Sequence, residues 1–201
     1  MLEAIFIILV LFFSVVIHEI AHGSCALFLG DDTAKREGRL TLNPIAHIDP
    51  IGTIFLPLFL LILTLGRGPI FGWAKPVPVN PLNFKDKKWG TIKVSLAGPL
   101  TNFLIGLIFS FLARFNFPQS MVDFFGIISV YNFAWAFFNL IPLPPLDGSH
   151  ILFQILPQRL FFLKIFLFQY GFLILLLIVF FGLFPIFSFS QWLFSLISGS
   201  L

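Results

Sequence analysis

The chain has 201 residues, of which 58% are hydrophobic and only 10% charged, and its mean hydropathy is +1.01. Those values exclude an ordinary soluble domain, and continuous apolar runs without period-two alternation exclude a β-barrel, so an all-α, multi-pass integral membrane protein is expected. The net charge of +3 does not indicate nucleic acid as a partner, because the basic residues sit in short inter-helix segments and form no stripe with interleaved aromatics. A single cysteine, Cys25, excludes an internal disulfide and a thiolate metal cluster, leaving His and carboxylate for any metal site.

The first apolar segment runs from Leu2 to Leu29 and ends at Gly30. Glu3 stands where a signal peptide carries basic residues and no small-residue cleavage site follows, so the segment is expected to be retained as a spanning helix. Residues 38–53 contain Pro44 and Pro50 and are expected to be extended or looped. Ile51–Leu65 is apolar but short, with Pro57 inside it. Residues 66–84 hold Gly66, Gly68, Pro69, Gly72, Pro76, Pro78 and Pro81, a density that forbids a regular helix. At membrane depth such backbone is tolerated only when buried in protein or lining a wet cavity. Helices are expected again at Thr91–Arg114, Met121–Ile141 and Leu160–Leu183, with a last apolar piece at Pro185–Ile197. The sum is one domain over 1–201, a polytopic helical bundle of about five to six transmembrane segments with re-entrant or extended Pro/Gly-rich stretches. Lys35, Arg36 and Arg39, and more strongly Lys85, Lys87, Lys88 and Lys93, mark one side as cytosolic, which requires Ile51–Phe84 to leave and return on that side.

Ionisable side chains in a spanning helix cost about 2.5–3.5 kcal/mol each on insertion scales, and they usually mark a functional path. The first helix carries three within five residues, in His18-Glu-Ile-Ala-His22. Four positions apart, the two imidazoles share one helical face and can reach one ion, while Glu19 stands where zinc peptidases place the general base. A catalytic zinc typically takes three protein ligands and a water, so one ligand is missing from this motif. The best candidate is Asp147, in Asn139-Leu-Ile-Pro-Leu-Pro-Pro-Leu-Asp-Gly148, where three prolines stop the preceding helix and Gly148 gives conformational freedom after the carboxylate. The same Asp-Gly pair also reads as a helix-ending turn at the interface.

Together these motifs resemble the site-2 protease family of intramembrane metalloproteases. The H-E-x-x-H motif of that family matches His18 to His22, and its distal Asn-Pro-x-x-x-x-Asp-Gly-like motif matches Asn139 to Gly148, except that Leu140 and Ile141 intervene before Pro142. Ala97-Gly-Pro-Leu-Thr-Asn102 and Asn43-Pro-Ile-Ala-His47-Ile-Asp-Pro50 are similar to segments of small bacterial members. The resemblance spans residues 14–153. It implies one bound Zn2+ and hydrolysis of a peptide bond in or near a transmembrane segment of a membrane-protein substrate, in the cell membrane of a prokaryote, with no accessory domain here.

Three further residues are candidates to contact substrate or an oxyanion. Asn102, near the start of its helix, could hold a substrate backbone or serve helix–helix hydrogen bonding. Asn139 is placed by the distal motif, and His47 could line the site or orient a ligand, against a purely structural role. His150 is expected to be interfacial. Two rival functions use the same residues: a metal-binding membrane transporter, which would need ligands but no adjacent base, and a catalytically inactive membrane binding module. Substrate identity and oligomeric state are not encoded in any motif.

Overall fold

A computed structural model describes residues 2–65, 74–182 and 185–200, and among these no strand occurs. Eight α-helices follow in order: α1 Leu2–Phe28, α2 Thr33–Arg36, α3 Leu56–Leu63, α4 Gly90–Leu112, α5 Gln119–Asn139, α6 Asp147–Ile155, α7 Phe161–Phe180 and α8 Ile186–Ser198. Four stretches are long and apolar enough to cross a membrane, namely Ile5–Phe28, Gly90–Leu112, Gln119–Asn139 and Gln158–Phe180. Two shorter apolar pieces, Pro50–Leu63 and Ile186–Ser198, stand beside these four among the described residues, against an expectation of about five to six transmembrane segments. At 1.5 Å per residue the 14 residues of Pro50–Leu63 reach about 21 Å, short of the ~30 Å hydrocarbon core.

The bundle is organised around α4, which packs against α1, α5, α6 and α8. Its buried positions are mostly small or polar, Gly90, Ser95, Gly98, Asn102, Gly106 and Ser110, beside Val94 and Pro99. At Gly106 an added Cβ would lie 2.6 Å from the Phe133 ring, so the glycine lets α5 seat an aromatic directly on the α4 backbone. Large apolar residues point outward instead, with Ile108 on α4 and Phe124 on α5 about half exposed. Such an inside-out distribution is what lipid requires: polar groups must find partners within the protein, while Leu and Phe are at no disadvantage outside.

Residues 38–53 differ from expectation. Pro44 and Pro50 do not break helical structure; each opens a short turn, a 3-10 turn at Pro44–His47 and a wider π-type turn at Pro50–Phe55. At the first position of a turn the missing N–H costs nothing, and the preceding Asn43 and Asp49 side chains accept the free amides of Ile45 and of Ile51 and Gly52. Two elements were not expected at all, α2 and the nine-residue α6 that starts at Asp147.

Of the Pro/Gly-rich run 66–84, residues 66–73 lie outside those described, as do Leu183 and Phe184 at the expected end of α7. Residues 74–83 form a strap returning to the end of α1, irregular over 74–80 and closed by a 3-10 turn at Pro81–Asn83. The Lys85 amide donates to the Leu29 carbonyl at 2.8 Å, and the Asn80 amide and Asn83 side chain donate to the Asp31 carboxylate at 2.7 and 2.8 Å. The basic segments at 35–39 and 85–93 therefore lie at one end of the bundle, as a chain that leaves and returns requires. Burial alone would raise the Asp31 carboxyl, but hydrogen bonds from Thr33, Asn80 and Asn83 outweigh it and hold the group below its ordinary value.

Candidate metal centre

One helical turn separates His18 from His22, and both rings face inward, 3% and 8% exposed. The third group arrives from far along the chain. Helix α5 ends at Asn139, the proline-rich stretch 140–146 turns the chain, with a cis bond between Pro144 and Pro145, and α6 begins at Asp147. His18 Nε2 lies 3.0 Å from Asp147 Oδ2, His22 Nε2 lies 3.3 Å from the same oxygen, and the two Nε2 atoms are 3.0 Å apart.

The hydrogen bonds behind the rings decide what those three atoms can do. His22 Nδ1 is 2.7 Å from the Val94 carbonyl, which can only accept, so that nitrogen carries the proton. His18 Nδ1 is 2.7 Å from Asn102 Oδ1. The orientation of the Asn102 amide is fixed in turn, because its Nδ2 donates to the Ser14 carbonyl at 3.1 Å and to Asn132 Oδ1 at 2.9 Å. In the neutral rings both Nε2 atoms are then bare lone pairs facing a carboxylate oxygen. Three acceptors converge where only a cation could reconcile them. For a zinc ion with ligands at 2.0–2.1 Å, tetrahedral geometry places donor atoms about 3.3–3.4 Å apart, so shifts of a few tenths of an ångström would admit it. The residues fit the metal.

Glycines make the approach possible. A Cβ on Gly98 would fall 2.5 Å from His22 Nε2 and 2.6 Å from His18 Nε2, so α4 can bring its backbone against the rings only here. Gly148 differs from expectation: it lies inside α6 with an ordinary negative φ, and an added Cβ would meet the Leu140 and Ile141 carbonyls at 2.3 and 2.6 Å. Close packing of α6 on the preceding turn, rather than backbone freedom, requires glycine at 148.

A cavity of about 380 Å3 opens beside the three groups, and its wall includes Glu19, Asn139, His150 and the strap residues Pro76 and Val77. Glu19 Oε2 accepts the Val77 amide at 2.8 Å. Asn139 donates to the Trp135 carbonyl at 3.0 Å and still borders the cavity. His150, expected at the interface, is exposed and borders it too. Two other candidates are placed elsewhere. Asn102 stands behind His18 with no exposure and both amide hydrogens engaged, which leaves it nothing to offer a substrate. His47 is fully buried in its 3-10 turn, donates through Nε2 to the Thr41 carbonyl at 2.9 Å and does not join the ligand group.

The model of peptidase family M50 matches residues 115–179. A protein of Bacillus subtilis described as "Putative zinc metalloprotease YwhC" is 41% identical over 162 residues, covering 76% of this chain and 69% of that protein. The chain belongs to peptidase family M50. Its similarity within M50 extends to Rip2 of Mycolicibacterium smegmatis, under the same description, at 30% identity over 67% of this chain and 51% of the relative. The "Zinc metalloprotease MJ0392" of Methanocaldococcus jannaschii is 32% identical over 44% of this chain and 27% of its own length. The chain thus spans about two thirds of the first relative and half of the second. No solved structure matches the chain.

Proposed function

We propose that this M50 member hydrolyses peptide bonds in or near transmembrane segments of other membrane proteins, with His18, His22 and Asp147 holding one zinc ion and Glu19 acting as general base. Family membership makes the chain a zinc metalloprotease and an integral membrane protein. The finer reading is carried by one observation: the convergent acceptor trio and Glu19 border a single cavity within a bundle whose outer surface is apolar. Bound zinc would supply Lewis acidity, lowering the pKa of a water and polarising a carbonyl.

The chain's own residues do the rest. Glu19 takes the proton of the attacking water at a carboxylate oxygen, its Oε2 being steadied by the Val77 amide. Asn102 and the Val94 carbonyl fix the tautomers and orientation of the two imidazoles from behind. Asn139, which borders the cavity and has one amide hydrogen beyond its bond to Trp135, would hold a substrate backbone. His47 serves the loop, not the reaction. The basic end of the bundle faces the cytosol of a prokaryotic cell, which sets the metal nearer that face.

Glu19→Gln tests the reading: the amide cannot accept the proton, yet Glu19 is not among the convergent ligands. Purified variant chain should keep its zinc and lose cleavage across a panel of membrane-anchored candidate substrates. Cleavage at the parent rate would remove Glu19 as base.

A further inference from the structure

Two buried charges against the strap have no ion-pair partner among the described residues. Asp31 is 0% exposed and Arg39 5%. A buried charge is costly unless hydrogen bonds compensate it; apart from the bonds of Thr33 to Asp31, the compensation here comes from one segment. Arg39 donates to the Lys75 and Pro76 carbonyls at 2.7 and 3.2 Å, and Asp31 accepts the Asn80 amide and the Asn83 side chain. The two charges thus grip the strap 74–83 on either side of Val77.

Between those grips the strap has few donors. Pro76 and Pro78 carry no N–H, so from 76 to 79 only Val77 and Val79 have one, and the Val77 amide goes to Glu19. Flanking prolines keep the backbone stiff and extended, so a displacement at either grip is transmitted along it. Close approach to α1 is secured at Gly23, where a Cβ would fall 2.7 Å from Val77 Cγ1. The Lys75 amide is tied to the His47 carbonyl at 2.9 Å, which gives the 44–47 turn a place in the same scaffold.

We propose that Asp31 and Arg39 are positioning residues for the reaction, acting through the strap to hold the Val77 amide against the Glu19 carboxylate. The inference rests on Glu19 being the base. One Glu19 oxygen is fixed by a backbone donor, and the other can serve as the base. Loss of either grip would let the strap drift, and a misplacement of ~1 Å in such a constellation costs on the order of 100-fold in rate.

The experiment uses the full zinc-loaded chain. Hydrogen–deuterium exchange is followed over residues 74–79, where the prolines leave only Ala74, Lys75, Val77 and Val79 to report. Asp31→Asn and Arg39→Gln should each speed exchange there at least ten-fold while zinc content stays at the parent value, and Arg39→Lys should restore part of the protection. Cleavage is read with a fluorogenic single-span peptide of leucine and alanine with a central Gly-Asn pair, in proteoliposomes. Both variants should lose at least ten-fold in kcat with KM within two-fold. Val77→Pro deletes the donor but keeps both grips, and should fall at least ten-fold in kcat below Val77→Ala, which keeps the amide. Unchanged exchange in both grip variants, or equal kcat for the two Val77 variants, would overturn the proposal. Parent-level cleavage by Glu19→Gln would strike the base assignment itself, whatever the strap variants do.

Discussion

Helices α4 and α7 are both long enough to cross a bilayer, yet they use the membrane in opposite ways. Buried positions on α4 are mostly glycine, serine and asparagine, and it touches four other helices. On α7 only Gly171 and Leu175 are buried, while Phe162, Phe168 and Phe180 are 69%, 79% and 80% exposed. In lipid, apolar surface gains nothing by hiding, so small and polar residues mark where helices meet and where chemistry is assembled. Helix α7 meets the turn that delivers Asp147 at Gly171, which lies against Pro144, and at Leu175, which packs with Ile141 and Leu146.

Glycine-to-alanine changes on the two helices test that contrast. Gly98→Ala should have the largest effect, because its methyl enters the space of both ligand nitrogens and the rings have no free direction in which to move. Bound zinc, measured by elemental analysis after equilibration with stoichiometric metal, should fall to about a tenth or less. Near-full occupancy would mean that α4 can retreat, contrary to its central packing.

Asn102→Ala comes next. The ring of His18 loses its acceptor, and zinc affinity should drop about 10–100-fold, with cleavage following metal content. An unchanged affinity in competition with a chromophoric chelator would reduce Asn102 to a link between α1, α4 and α5.

Acid should act on the polar interior before it acts on α7. Asp31 is held below its ordinary carboxyl value in the folded chain, so the stability it contributes is complete above the unfolded value near 3.9 and is lost as pH falls through the lower folded value. The gap in unfolding temperature between parent and Asp31→Asn should therefore be constant near neutrality and narrow at the acid end. A gap that widens on acidification would reverse the sign argued here.

The smallest effects belong to α7. Gly171→Ala puts a methyl 2.6 Å from Pro144 Cδ, and a shift of the turn should lower zinc affinity about 2–5-fold. Phe168→Leu, facing lipid, should change stability by less than ~0.5 kcal/mol and leave the metal untouched. A Phe168 effect as large as that of Gly171 would show that the exposed face of α7 is packed against something.

The two histidines of α1 were legible because helical period alone puts positions four apart on one face, and a trio of ionisable groups in an apolar run has few other uses. Most helix spans were legible for a similar reason, since a bilayer fixes the length of an apolar run. Less visible was anything that depends on how helices rotate against each other. Asn102 read as equally suited to substrate or to helix packing, and only its neighbours Ser14, His18 and Asn132 distinguish them. Gly148 read as a source of backbone freedom after the carboxylate and Gly98 only as part of a shared segment, whereas each is demanded by atoms from another turn or helix. Pro44 and Pro50 looked like interruptions because sequence does not show that Asn43 and Asp49 would cap the turns they start.

The hydrogen bonds behind the histidines also set an order of birth for the centre. Helix α1 leaves the ribosome with two imidazoles whose tautomers nothing yet dictates. Val94 and Asn102 follow more than seventy residues later, and Asp147 some forty-five residues after that. With the proposed ligand set, a nascent chain would pass through the insertion machinery with an incomplete centre, and tight metal capture would be deferred until α6 has been made.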